Sequence, residues 1–370
     1  METQNSISTR KMTLRRFWLW LHRYVGLIAA IFLVVVGVTG SILAFAPDYD
    51  VWLHPSFWRV TPRGSPLPEQ ELLERIQRQL DSGVRVEQID LLGAHSSQIF
   101  LLTDGRTLFV NPYDGEILHV RNGPSATNGF LLAVHELHVG LFAGNIGEWI
   151  VDGATAASLL LVCTGLYLWW DKKRLNIKWT ATWRRIIWDV HNISGLYGFA
   201  LFFILAASGL LVAFETPLYW MVRSQPWDTP ALPHSDVSQA AAQSGHAPDL
   251  NELMRAADRA LPGASTYQIV LPKYPRSAVQ ILKRGPGLAG HSTVYLDRYT
   301  GAVLRVDDLS KLPRAYRAHF INQALHTGAI LGFPTEAILA LASLALVISA
   351  LTGFLIWWKK ISTSGSSVGF

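Results

Sequence analysis

His138-Val139-Gly140-Leu141 leads into Thr164-Gly165 and then Trp169-Trp170-Asp171-Lys172-Lys173, and the passage is written a second time near the C-terminus. There His326-Thr327-Gly328-Ala329 leads, at the same spacing, into Thr352-Gly353 and Trp357-Trp358-Lys359-Lys360. The offset is 188 residues, and Glu148 and Glu336 keep it as well. A second echo lies upstream: His22-Arg23-Tyr24-Val25-Gly26-Leu27 returns 169 residues later as His191-Asn192-Ile193-Ser194-Gly195-Leu196. Self-similarity at fixed offsets reads as one unit used twice. Each unit then carries a histidine at either end.

The composition says where such a chain lives. Of its 370 residues 50% are hydrophobic and 16% charged, a balance that suits a membrane protein. Four apolar runs, 24–46, 149–170, 190–214 and 337–358, reach the roughly 20 residues that span about 30 Å of hydrocarbon. Among Asp, Glu, Lys, Arg and His, the residues inside them are Asp152 and His191. The 14 tryptophans gather near run ends, as in interfacial aromatic belts. The first run has a basic flank and an Ala44-Phe45-Ala46 sequence, but it exceeds the roughly 7–15 residues of a signal-peptide core, so it reads as a retained helix. The net charge of +5 calls for no nucleic acid partner.

Basic residues orient the chain. Arg10, Lys11, Arg15 and Arg16 precede the first run, Lys172, Lys173, Arg174, Lys178, Arg184 and Arg185 separate the second from the third, and Lys359 and Lys360 follow the fourth. Short basic segments stay in the cytoplasm. Both termini are therefore expected there, in a bacterial inner membrane, with the two long segments in the periplasm. The expected order is a cytoplasmic N-terminus (1–23), a membrane helix (24–46), a first outside domain (47–130), an amphipathic segment (131–148) and a second membrane helix (149–170). A basic loop (171–189), a third helix (190–214), a second outside domain (215–312), another amphipathic segment (313–336), a fourth helix (337–358) and a tail (359–370) complete it.

Each long segment reads as a small α+β domain. In the first, Glu69–Leu80 has helical periodicity, and strand-like stretches follow from Val84, with Asp104-Gly105 as a hairpin turn. In the second, Asn251–Leu261 is helical and strands follow from Ser265. The fold class is thus an α-helical membrane protein with four transmembrane helices, built from two parallel repeats that each carry one such domain. Repeats of this sense are related by a pseudo-two-fold axis along the membrane normal.

Several motifs together resemble the PepSY-associated transmembrane family. They are the opening Trp20-Leu21-His22-Arg23-Tyr24-Val25-Gly26-Leu27, the turns Tyr113-Asp114-Gly115 and Tyr299-Thr300-Gly301, His135-Glu136-Leu137-His138, and the Thr-Gly-x-x-x-Trp-Trp helix ends. The resemblance covers nearly the whole chain. In length and layout it is most similar to inner-membrane ferri-siderophore reductases of the FoxB, or ferrioxamine reductase, type. It implies haem b, PepSY domains in the periplasm and a link to iron acquisition.

Of the 12 histidines, six lie at membrane boundaries, where ionisable groups are costly and usually functional. His22 has Gly26 one turn along its face, and His191 has Gly195. Glycine there leaves a flat space that a planar macrocycle can occupy; the alternative is an interfacial histidine with a packing glycine. His138 and His326 are each followed at the second position by glycine, Gly140 and Gly328, while His135 and His319 have no counterpart in the other unit. With haem b, two imidazoles complete a low-spin electron-transfer site. His22 and His191 are expected to hold one haem iron near the cytoplasm and His138 and His326 a second near the periplasm. His135 and His319 are weaker candidates. Two haems so placed make a wire from a cytoplasmic or membrane electron donor to a ferric hydroxamate such as ferrioxamine.

Other chemistry is poorly supported. The chain lacks Cys-x-x-Cys-His, so thioether-linked haem is excluded. His135 and His138 are three apart rather than four, which argues against a zinc protease helix. No dinucleotide fingerprint leads from a strand into a helix: Gly285-Pro286-Gly287-Leu288-Ala289-Gly290 has the Gly-x-Gly-x-x-Gly spacing, but the strand-like Thr293–Asp297 follows it. Cys163, the single cysteine, reads as inert packing. Glu148, Asp152 and Glu336 read as acids suited to helix starts, or as carboxylates near the outer haem. The competing reading is a PepSY-domain accessory or regulator of iron uptake that binds a peptide or protein without redox chemistry. A permease has little room among four helices.

Overall fold

The computed structural model describes residues 2–123, 125–170, 175–214, 231–235, 248–285, 290–312 and 314–364. The chain runs α1 (Glu2–Leu43), α2 (Tyr49–Leu53), α3 (Pro55–Trp58), α4 (Glu69–Gln77), β1 (Val86–Asp90), β2 (Gln98–Leu102), β3 (Arg106–Val110) and β4 (Ile117–Asn122). Three helices follow: α5 (Ala126–Gly140), α6 (Gly144–Trp170) and α7 (Trp183–Ala213). Then come α8 (Leu250–Ala260), β5 (Ser265–Val270), β6 (Val279–Arg284), β7 (Ser292–Leu296), β8 (Val303–Asp307), a 3-10 turn (Leu309–Lys311), α9 (Arg314–Thr327) and α10 (Phe333–Ser364). Two compact units result. One comprises 1–46, 130–221 and 322–370, the other 47–129 and 222–321.

The first unit is a helical bundle. Leu14–Leu43, Gly144–Trp170, Trp183–Ala213 and Phe333–Trp358 are long and apolar enough to cross a membrane. Helix α1 begins well before the apolar run at 24–46, because hydropathy marks the membrane-thick part of a helix and not where its backbone hydrogen bonding starts. Helices α1 and α7 each pack against both α6 and α10. Small residues let the backbones approach: a Cβ on Gly37 would lie 2.7 Å from Val347 Cγ2 and 3.0 Å from the Ser343 carbonyl. Between α7 and α10 the Ser194 and Ser349 hydroxyls meet at 2.7 Å. Buried Asp189 accepts from Arg185 Nε at 2.8 Å and from the Lys178 backbone N–H at 3.3 Å, which ties the basic loop to the start of α7.

The connections between α5 and α6 and between α9 and α10 are tight. Leu141 and Phe142 both have positive φ, 51° and 57°, a strained pair for non-glycine residues. A Cβ on Gly147 would fall 1.7 Å from the Gly140 carbonyl oxygen. Gly328 has φ 86°, and a Cβ there would lie 2.8 Å from Glu336 Cα.

The second unit is one antiparallel sheet, not two. Its strand order is β4-β3-β2-β1-β5-β6-β7-β8. The sequence suggests a separate α+β domain in each long segment, but β1 and β5 pair antiparallel with Ile89 opposite Ile269. The Leu91 N–H donates to the Tyr267 carbonyl and the Leu271 N–H to the Glu87 carbonyl, each at 2.8 Å. The physical reason is that each four-stranded half would leave an edge strand with unpaired backbone groups, and joining those edges removes both. The core is likewise continuous: Leu72 and Ile76 of α4, Leu250, Leu253 and Ala257 of α8, and Phe100, Leu108, Ile269 and Ile281 of the strands share one cluster. A capping box between Asp249 and Glu252 starts α8. Near the start of the first segment, buried Asp50 accepts from Trp58 Nε1 at 3.0 Å and from Arg121 at 2.7 Å, fastening α2 and α3 to β4.

Candidate histidine pairs

Within the bundle, four histidines that recur in the sequence come together two by two. His22 on α1 and His191 on α7 have ring centroids 6.3 Å apart. His138 on α5 and His326 on α9 have centroids 6.4 Å apart. An imidazole nitrogen sits about 2.0–2.1 Å from a bound first-row metal, with the ring centre roughly 1.1 Å further back, so two imidazoles sharing one iron hold centroids about 6.3 Å apart. Both pairs match that spacing. Among the described residues, no cluster of three or more His, Cys, Asp or Glu has metal-site geometry. The donor sets are therefore pairs of imidazoles alone, which suits a metal whose other ligands come from its own macrocycle.

Each ring is seated on a different helix by a hydroxyl and the glycine that follows it. His22 Nδ1 is 2.8 Å from Thr164 Oγ1, and a Cβ on Gly165 would be 3.3 Å from its Cε1. His138 Nδ1 is 2.9 Å from Thr39 Oγ1, with Gly40 at 3.1 Å by the same measure. His191 Nδ1 is 2.9 Å from the Ser349 carbonyl and 3.2 Å from Thr352 Oγ1, with Gly353 at 3.2 Å. His326 Nδ1 is 3.1 Å from Ser208 Oγ, with Gly209 at 2.9 Å. All these bonds use Nδ1, which leaves Nε2 for a metal. Burial, and then the nearby His326 and His135, hold the His138 imidazole down to about 4; burial also lowers His326. Both are thus neutral near pH 7, the form a metal takes.

A cavity of about 420 Å3 opens at the first pair, within the range of small-molecule and cofactor sites. It is largely apolar. His22, His191, Gly26, Gly195, Gly165 and Gly353 line it, as do Trp169, Trp188 and Trp357. A Cβ on Gly195 would meet nothing within 4 Å, and one on Gly26 only Leu161 at 3.4 Å and beyond. Arg15 and Arg23 line the same cavity, so the charge in its lining is positive. An apolar chamber with cationic residues fits a flat amphiphile bearing carboxylates, and haem is one; the residues present fit the group. The second pair lies further along the bundle: Thr39 is 17 residues past His22 on α1, roughly 25 Å at about 1.5 Å per residue.

The remaining sequence candidates have other surroundings. Gly140 and Gly328 stand at the tight helix connections, Gly140 against Gly147 and Gly328 against Glu336. His135 is exposed, and the His319 ring lies tilted against Phe320, with centroids 5.2 Å apart and planes at 60°. Glu336 is buried whereas Glu148 is exposed, so the repeated acids do not share an environment. Thr39-Gly40 and Ser208-Gly209 escape a first reading of the sequence, although they obey the same 169-residue offset that relates His22 to His191. Thr164-Gly165 and Thr352-Gly353 are visible as helix-end echoes, but nothing local says that a ring rests on them.

A comparison with curated proteins finds no match. A family model described as the PepSY-associated TM region matches residues 19–360, a stretch that holds all four histidines, all four seats and the whole sheet. The chain belongs to the PepSY-associated TM region family.

Proposed function

We propose that this protein is an inner-membrane haem oxidoreductase that carries electrons across the membrane and reduces a ferric siderophore in the periplasm, releasing Fe(II). The observation that carries the reading is the double histidine pair: two couples of imidazoles at 6.3 and 6.4 Å, each ring seated on one of the four apolar helices. Haem b, one per pair, supplies a one-electron carrier when bound. His22 and His191 hold the first through Nε2, and His138 and His326 the second. The apolar walls of α1, α6, α7 and α10 exclude water from both, and Arg15 and Arg23 offer positive charge to carboxylates at the first. The basic segments support a cytoplasmic position for both termini and the 171–189 loop, and a periplasmic one for the long segments. The paired echoes, the mirrored strand order and the paired seats support two parallel copies of one unit.

The substrate reading is a ferric chelate of the hydroxamate type, as for FoxB-type reductases. Hydroxamate oxygens are hard donors that hold Fe(III) far better than Fe(II). One electron per ferric ion, drawn from a cytoplasmic or membrane donor, is enough to loosen it, and no acid–base residue is required. The test uses purified protein reduced with dithionite, freed of excess reductant and mixed with ferrioxamine and a ferrous-specific chelator. The reduced haem bands should decay as one Fe(II) is trapped per electron lost. Reduced haem that persists beside ferrioxamine would refute the reductase assignment, and a colourless protein would favour the non-redox accessory role.

A further inference from the structure

We infer that Thr39-Gly40, Thr164-Gly165, Ser208-Gly209 and Thr352-Gly353 are positioning residues that fix the tautomer and plane of the four imidazoles and so tune the potential of each haem; this rests on the haem reading above. The argument starts from protons. Each hydroxyl already donates its own. Thr39 gives it to the Val35 carbonyl at 2.7 Å, Thr164 to Leu160 at 2.7 Å, Ser208 to Ile204 at 2.6 Å and Thr352 to Ile348 at 2.6 Å. A hydroxyl whose proton is engaged can only accept from the ring that faces it, so Nδ1 carries the imidazole proton. His191 adds a second witness, because its Nδ1 lies 2.9 Å from a carbonyl oxygen, which has no proton to give. With Nδ1 protonated, the lone pair is on Nε2 in all four rings, the nitrogen that metal ligation needs.

The glycines set the plane. A Cβ at Gly40, Gly165, Gly209 or Gly353 would come 2.9–3.3 Å from the Cε1 of the seated ring, closer than ordinary contact, so each ring edge rests directly on helix backbone. Back-bonded Thr or Ser and small residues are common in membrane helices for packing alone. Packing does not explain why all four hydroxyl–glycine pairs meet the four paired histidines and why each pairs through Nδ1. The wiring is also systematic. Each seat lies in the same half of the chain as its ring, His22 on α6, His138 on α1, His191 on α10 and His326 on α7, whereas the ring pairs cross between halves.

An acceptor on Nδ1–H makes the ligand more basic and favours the ferric state. Removing that acceptor therefore raises the potential of the haem concerned. The experiment is a spectroelectrochemical titration of the full-length protein in nanodiscs. Thr164→Val keeps the shape and removes the acceptor: the haem of the His22 pair should shift to higher potential, the other should stay, and Thr164→Ser should restore the wild-type value. Gly165→Ala should lower occupancy or alter the low-spin electron paramagnetic resonance signal of that haem alone. Should Thr164→Val fail to accumulate, Ser208→Ala puts the question to the other pair, with Ser208→Thr as its restoring variant. Unchanged potentials in the hydroxyl variants, or a Thr164→Ser protein as displaced as Thr164→Val, would overturn the inference while leaving haem binding intact. A colourless wild-type protein would overturn the haem reading, and the inference with it.

Discussion

An ionisable ring inside an apolar bundle is costly unless something there needs it. The four paired histidines meet that condition together: each is anchored at one nitrogen and leaves the other for a ligand. Their candidacy is legible in the sequence because duplication separates them from His135 and His319, which have no counterpart. The hydroxyl seats are not legible in the same way. Thr-Gly and Ser-Gly in a membrane helix are ordinary packing residues, and only the fold brings an imidazole onto them from 99 to 161 residues away. The account predicts that His22→Ala and His191→Ala each remove the same haem, and that His138→Ala and His326→Ala each remove the other, leaving one per chain in every case. Pyridine hemochrome counts and separate potentials on the four variants check this. If His22→Ala and His138→Ala lost the same haem, the pairing would be wrong.

At the level of elements, amphipathic α4 and α8, the hairpin at Asp104-Gly105 and the strands that follow are readable from period and turn chemistry. The join between β1 and β5 is not, because pairing between strands some 180 residues apart leaves no local mark: Asp90 and Gln268 lie opposite one another, and Gln268 Nε2 donates to Asp90 Oδ1 at 2.8 Å. A continuous sheet makes a distinct prediction for hydrogen exchange. The amides of Leu91 and Leu271, which donate across the join, should be protected like those of the central strands, while the outward amides of β4 and β8 exchange faster. Edge-like exchange at Leu91 and Leu271 would mean two separate sheets. Packing gives a second expectation: Ile269→Ala, at a fully buried position on the join, should destabilise the sheet unit by about 2–5 kcal/mol, measurable as a lowered denaturation midpoint.

For the whole molecule, composition and the lysine and arginine bias carry the membrane assignment, because both follow from the solvent rather than from any particular contact. Alkaline phosphatase fused after residue 100 should be active and fused after residue 178 inactive; the reverse pattern would invert the proposed orientation and put the ferric chelate on the wrong side. What the sequence leaves open is the substrate, since chelate recognition depends on surfaces with no repeated motif to mark them. The central claim is simpler and comes first: two bis-histidine haems per chain. Its most direct test is the reduced-minus-oxidised spectrum of protein purified from haem-replete cells, with haem counted against polypeptide. The account predicts two extractable b-type haems per chain with sharp low-spin α-bands, and a colourless protein would contradict it.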